Sequence, residues 1–134
     1  MTVSINSLTG KGALVIDYTG QAAVGNQGNI LNPEGVTLLI TNTYAYCVTA
    51  ATAAATLAMG VAATGVSNSD CHAALTLDAV AETAWMGYHP AVTQDAALTA
   101  PALWTATTYL TFTTAAQSAL PAVWKFYVEY IRVA

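Results

Sequence analysis

Residues 123–134, VWKFYVEYIRVA, carry the most regular alternation in this 134-residue chain. On the two-residue period of a strand, Trp124, Phe126, Val128 and Tyr130 share one face, and Lys125, Tyr127, Glu129, Ile131 and Val133 share the other. The first set reads as a core face. The second places two of the chain's few charges beside apolar side chains, which suits a surface partly covered at a subunit contact. Lys125, Tyr127, Glu129 and Ile131 are therefore candidate interface residues.

The same period recurs upstream. In ALVIDYT, Leu14, Ile16 and Tyr18 fall on one face. In TLLITNTYAYCV, Leu38, Ile40, Tyr44, Tyr46 and Val48 are assigned one face opposite Thr37, Thr41, Thr43 and Cys47, with Asn42 marking a bend or bulge. TLAMGVA aligns Leu57, Met59 and Val61. HAALTLDAV aligns Leu75 and Leu77 against His72, Thr76 and Asp78, and TTYLTFTT aligns Leu110 and Phe112. Gly-, Asn-, Asp- and Pro-containing stretches such as NPEG and GVSNSD separate these runs as turns. Ala-rich TAATAAATLAMG invites a helical reading, but its threonines and the lack of an apolar stripe oppose one. Short strands joined by Gly- and Pro-rich connections, without alternating helices, predict an all-β fold. The leading architecture is a jelly-roll or related Greek-key β-sandwich of about eight strands, formed as a single domain over residues 1–134.

Composition narrows the function. An ordinary soluble domain is about 25% charged, so roughly 33 charged side chains are expected at this length. This chain has three basic and seven acidic residues, against 28 Ala and 20 Thr. Interface cores are depleted in charge, and a net charge of −4 gives a free monomer weak colloidal protection, so the expected state is a homo-oligomer. Lys11, Lys125 and Arg132 are too scattered to form an electrostatic footprint for nucleic acid. Residues 46–66 are uncharged and long enough to span a bilayer, yet they are dominated by Ala and Thr and lack basic flanks. The first twenty residues lack the charged and apolar regions of a secretory signal. Neither a membrane nor a secretory route is expected.

No motif carries catalysis. Ionisable residues gather between Asp70 and Asp95, but His72 and His89 are too far apart for a closely spaced metal-binding pair, and no framed nucleophile occurs. A metal site or small hydrolase around His72, Asp78 and His89 ranks last, and no cofactor is expected. Cys47 and Cys71 make neither a disulfide framework nor a zinc site and read as buried thiols. Trp85, Tyr88 and Trp104 lie near loops. There they suit interface anchors as well as core, or the stacking platform of a carbohydrate- or receptor-binding module.

Residues 37–65, TLLITNTYAYCVTAATAAATLAMGVAATG, and 109–134, YLTFTTAAQSALPAVWKFYVEYIRVA, resemble tailed-phage virion proteins, in particular small head decoration, or cement, proteins. The resemblance is one of composition and strand order along most of the chain. It implies a jelly-roll-like sandwich that oligomerises, commonly as trimers, and binds the major capsid protein on the outer surface of the head. It implies no enzyme activity and supplies no catalytic residue.

Overall fold

A computed structural model describes residues 10–78, 102–115 and 122–133, together with the backbone of 84–86. The described strands are β1 (Lys11–Thr19), β2 (Gly25–Leu31), β3 (Leu38–Thr49), β4 (Thr56–Ala62), β5 (His72–Thr76), β6 (Ala84–Met86), β7 (Leu103–Trp104), β8 (Tyr109–Ala115) and β9 (Val123–Arg132); β2, β6 and β7 lie outside the strand-period runs, and β2 forms where Gly and Asn read as a turn. Among the described residues there is no helix, so none is long and apolar enough to cross a membrane. The uncharged stretch 46–66 is the end of β3, a short connection and β4.

With the two-residue β7 set aside, the chain is a ribbon folded back on itself. β1 pairs with β9, β2 with β8, β3 with β6 and β4 with β5, all antiparallel. Rolling the ribbon brings β3 to the other side of β9 and β4 to the other side of β8. Two sheets result, β1-β9-β3-β6 and β2-β8-β4-β5, in the strand order of a jelly roll. β7 adds a short pairing at Leu38 and Leu39 of β3.

The inner face of β9 is as its alternation predicts: Trp124, Phe126, Val128 and Tyr130 are all buried. Phe126 is the aromatic centre. Its ring meets Phe112 of the opposite sheet at 5.3 Å, Tyr18 at 6.0 Å and His72 at 5.9 Å. Leu38, Ile40, Leu57, Met59 and Leu110 are among the fully buried apolar side chains packed around it. Each large apolar side chain so buried contributes about 1.5–3 kcal/mol.

Among the described residues four register shifts interrupt the ladders, and three of them change which residues face the interior. In β3, Ile40 faces Tyr130 but Asn42 faces Glu129, so Thr41 is an extra residue. The parity of β3 inverts beyond it. Leu38 and Ile40 point inward as expected, but the next inward positions are Thr43, Ala45 and Cys47, leaving Tyr44, Tyr46 and Val48 on the outside. Thr43 is accommodated because its hydroxyl donates to the Cys71 carbonyl on the opposite sheet's side. A second bulge in β3 lies between Cys47 and Thr49. In β5, Leu75 faces Leu57 but His72 faces Met59, and this slip carries His72 inside. In β2 the extra residue is Gln27, also buried. Its Oε1 accepts from the Tyr18 hydroxyl at 3.0 Å and from the Gln21 amide at 2.9 Å, and its Nε2 donates to Ala23 O at 2.7 Å.

Two loops are tied down with equal economy of charge. In the NPEG turn, Asn32 accepts from the amides of Glu34 and Gly35 and donates to Val36 O and Trp104 O. Glu34 then takes Arg132 in a two-pronged pair and accepts from the Tyr130 hydroxyl at 2.7 Å. The Arg132 guanidinium holds its carboxyl below the usual carboxylate range, assisted by Tyr130. On the other sheet, residues 68–70 cross directly over Gly60, where a Cβ would stand 2.7 Å from the Asp70 amide nitrogen. Only glycine permits that approach.

Trp124→Ala is expected to cost about 3–5 kcal/mol in denaturant unfolding, whereas Tyr127→Ala, on the same strand and facing out, should cost under about 1 kcal/mol. Comparable losses for the two would contradict the facing of β9. Gly60→Ala is expected to destabilise by about 1–3 kcal/mol, because backbone rather than a flexible side chain occupies the space.

Candidate functional site

The outer face of the β9 sheet collects most of the residues that the sequence marks as an interface. Cross-strand register sets them in rows. Val15, Tyr127 and Tyr44 form the middle row across β1, β9 and β3. Asp17, Lys125 and Tyr46 form the row on one side; Ala13, Glu129 and Asn42 form the row on the other. Beyond these lie Lys11, Ile131, Leu39 and Leu103. Val15 is 59% exposed and Tyr127 39%, so the centre of the face presents apolar and aromatic surface to solvent.

The charges bordering that row are paired within the sheet. Lys125 Nζ donates to Asp17 Oδ1 at 2.6 Å, an exposed contact that raises the lysine's pKa. Asn42 Nδ2 donates to Glu129 Oε2 at 3.0 Å, and the Thr41 hydroxyl donates to Glu129 O. A shallow groove of about 650 Å³ lies here between Lys11, Ala13, Thr41, Asn42 and Glu129. The arrangement is an aromatic centre with a polar border.

The sequence-predicted residues divide. Lys125, Tyr127, Glu129 and Ile131 stand together on this face. Trp104 does not join them. It is fully buried and its indole N–H donates to Thr108 O at 3.0 Å, so it is an interior anchor and offers no ring to a partner or a sugar. Its two-residue strand pairs with Leu38 and Leu39 at the start of β3, which proximity to loops did not reveal. Trp85 occupies the register position opposite Ala45 in β6. Tyr88 and His89 lie outside the described residues. Tyr44 and Tyr46 belong to the face but are missed by simple alternation, because the bulge at Thr41 turns them outward; Asn42 was the signal available.

Of the candidate metal or hydrolase residues, His72 and Asp78 fall within the described residues and His89 does not. His72 is buried against Phe126 while Asp78 is exposed, and among the described residues no group of three His, Cys, Asp or Glu side chains converges. Among the described residues His72 Nε2 has no hydrogen-bond partner, and burial pushes its pKa down to about 4. Cys71, also buried, has its thiol pKa pushed up by burial and by Asp70, which makes it a poor nucleophile. Comparison with protein-family models, curated proteins and solved structures gave no match to the chain.

His72 imposes a pH dependence. Its folded pKa lies below the unfolded value, so the unfolded state binds the proton more tightly. Stability is intact above the unfolded value of 6.5 and falls as the pH drops towards about 4. The loss over that interval is on the order of 3 kcal/mol. In His72→Phe the drop should be smaller by that amount, since the carboxylates common to both proteins cancel. Denaturant titrations at pH 7 and pH 4 measure the difference, and equal slopes would refute it.

Proposed function

We propose that the chain is a non-enzymatic virion structural protein, a capsid decoration protein that binds the outer surface of a phage head and reinforces it as a homo-oligomer. The observation that carries this reading is the outer face of the β9 sheet. It is a firm, hydrogen-bonded platform with Val15, Tyr127 and Tyr44 at its centre and internally paired charges around them. Such a face binds by excluding water from aromatic rings, and most of its charged neighbours need not be stripped of a partner first.

The mode of action requires no reaction. A protein that binds the assembled lattice and not its dissociated subunits stabilises that lattice by mass action, in proportion to its differential affinity. The scarcity of charge suits this work. The major capsid protein is the proposed partner, and the trimeric state common among the resembled proteins is the proposed form of the oligomer. The carbohydrate-binding alternative loses one of its three rings to the interior at Trp104.

The test uses phage capsids prepared without the protein. Added protein is expected to co-sediment with them and raise their melting temperature, while the variant carrying Tyr44→Ser and Tyr127→Ser stays folded and binds at least about thirtyfold more weakly, the effect of losing roughly 2 kcal/mol of interface energy. Wild-type protein that neither binds capsids nor changes their melting would overturn the reading.

A further inference from the structure

The edge of β1 differs from the other sheet edges. β2 is interrupted by the Gln27 bulge, β5 is short and bulged, and β6 has three residues. These are devices that blunt an edge against further pairing. β1 has none of them. Its nine residues run in unbroken register with β9 and include no proline.

Which backbone groups that edge presents follows from its flanks. Arg132 N donates to Gly10 O at 2.7 Å and Gly20 N donates to Ala122 O at 2.8 Å, both in the register that sets Lys11 opposite Ile131. Hydrogen-bonded pairs alternate along an antiparallel ladder, so the even-numbered residues of β1 turn their N–H and C=O groups towards β9. Those of Lys11, Ala13, Val15, Asp17 and Thr19 turn away from it. Arg132 Nη1 reaches round to the Lys11 carbonyl at 3.0 Å; among the described residues no strand pairs with the rest.

We propose that β1 pairs antiparallel with β1 of a second copy of this chain, about a twofold axis at Leu14. The side chains select this register. It sets Lys11 opposite Asp17 of the second copy, and Asp17 opposite that copy's Lys11, while Ala13 meets Val15 and Gly12 leaves room for Ile16. The odd-numbered residues then form the hydrogen-bonded pairs, as their outward backbone groups require. Lys11 has no ion-pair partner among the described residues. The Asp17 side chain is 75% exposed and engages Lys125 through Oδ1, so it can take a lysine on each side.

An open slot of about 310 Å³ between β1 and β2, lined in part by Ile16, Ile30 and Phe112, lies along the same edge and would be narrowed by the second copy. The pairing joins the two β9 sheets into one, so their tyrosine faces become a single surface. A twofold contact of this kind is distinct from a threefold one and would link neighbouring oligomers on a shell.

The test needs only the purified full chain. Under mild oxidation Leu14→Cys is expected to give a covalent dimer, because a non-hydrogen-bonded pair on the axis brings the two Cα atoms within disulfide reach. Thr19→Cys, at the far end of the strand, should not. Cys47 and Cys71 are buried and do not compete. Without any new thiol, Lys11→Glu and Asp17→Lys should each weaken self-association by roughly tenfold in sedimentation, and an equimolar mixture of the two should recover it as a heterodimer. A wild-type chain that stays monomeric, folded Leu14→Cys that does not crosslink, or a charge-swapped mixture no tighter than its components would overturn the proposal. Capsid binding enters none of these measurements, so this contact and the decoration reading fail separately.

Discussion

Everything in this fold is hung on β9. It pairs along its length on both sides, with β1 at the outer edge and β3 towards the middle of the sheet, as β8 does in the other sheet. It also supplies the Trp124, Phe126, Val128 and Tyr130 face that closes the interior. A jelly roll is a ribbon whose two arms must find each other over the whole chain, and such non-local pairing gains nothing until the distant arm arrives. The last strand therefore completes both the hydrogen-bond ladder and the core. Phe126, touching rings from β1, β5 and β8, is where the two sheets lock.

Alternation made much of this legible. The inward faces of β1, β4, β8 and β9 follow from a two-residue period, as does the all-β class. It did not mark β2, β6 or β7, and in β3 and β5 it misassigned faces for one reason. A bulge adds a single residue, and a single residue exchanges the two faces of everything beyond it. In β3 this moved Tyr44 and Tyr46 out of the presumed core, and in β5 it moved His72 into it. Periodicity counts residues and cannot see which one the partner strand skips. Trp104 was misplaced differently: nearness to a loop was taken for exposure, but two residues of pairing with β3 suffice to put an indole inside.

The same bulges explain how so uncharged a chain forms a usable surface. Thr43, Gln27 and His72 occupy interior positions that aliphatic residues would fill more cheaply, and Thr43 and Gln27 are accommodated by hydrogen bonds to backbone or to a neighbouring ring hydroxyl. In return, Tyr44 reaches the outside in register with Tyr127 and Val15. A regular β3 would have kept its tyrosines within and offered threonine and cysteine to solvent.

The location of the few charges supports the same division of labour. Lys125 pairs with Asp17 across β1 and β9, and Arg132 pairs with Glu34 between β9 and the turn before β3. Each pair joins segments far apart in sequence, and exposed pairs of this kind contribute little to stability on their own. Their effect lies in register: a slip of one residue in β1 against β9 would take Asp17 away from Lys125 and turn the apolar inner set outward at once. The apolar inner set fixes which face is which, and the charge pairs reinforce the same register while the aromatic surface stays open to solvent. That allocation is what the proposed adhesion to a large, repeating surface would need, where steering by long-range fields matters less than the fit of one flat face.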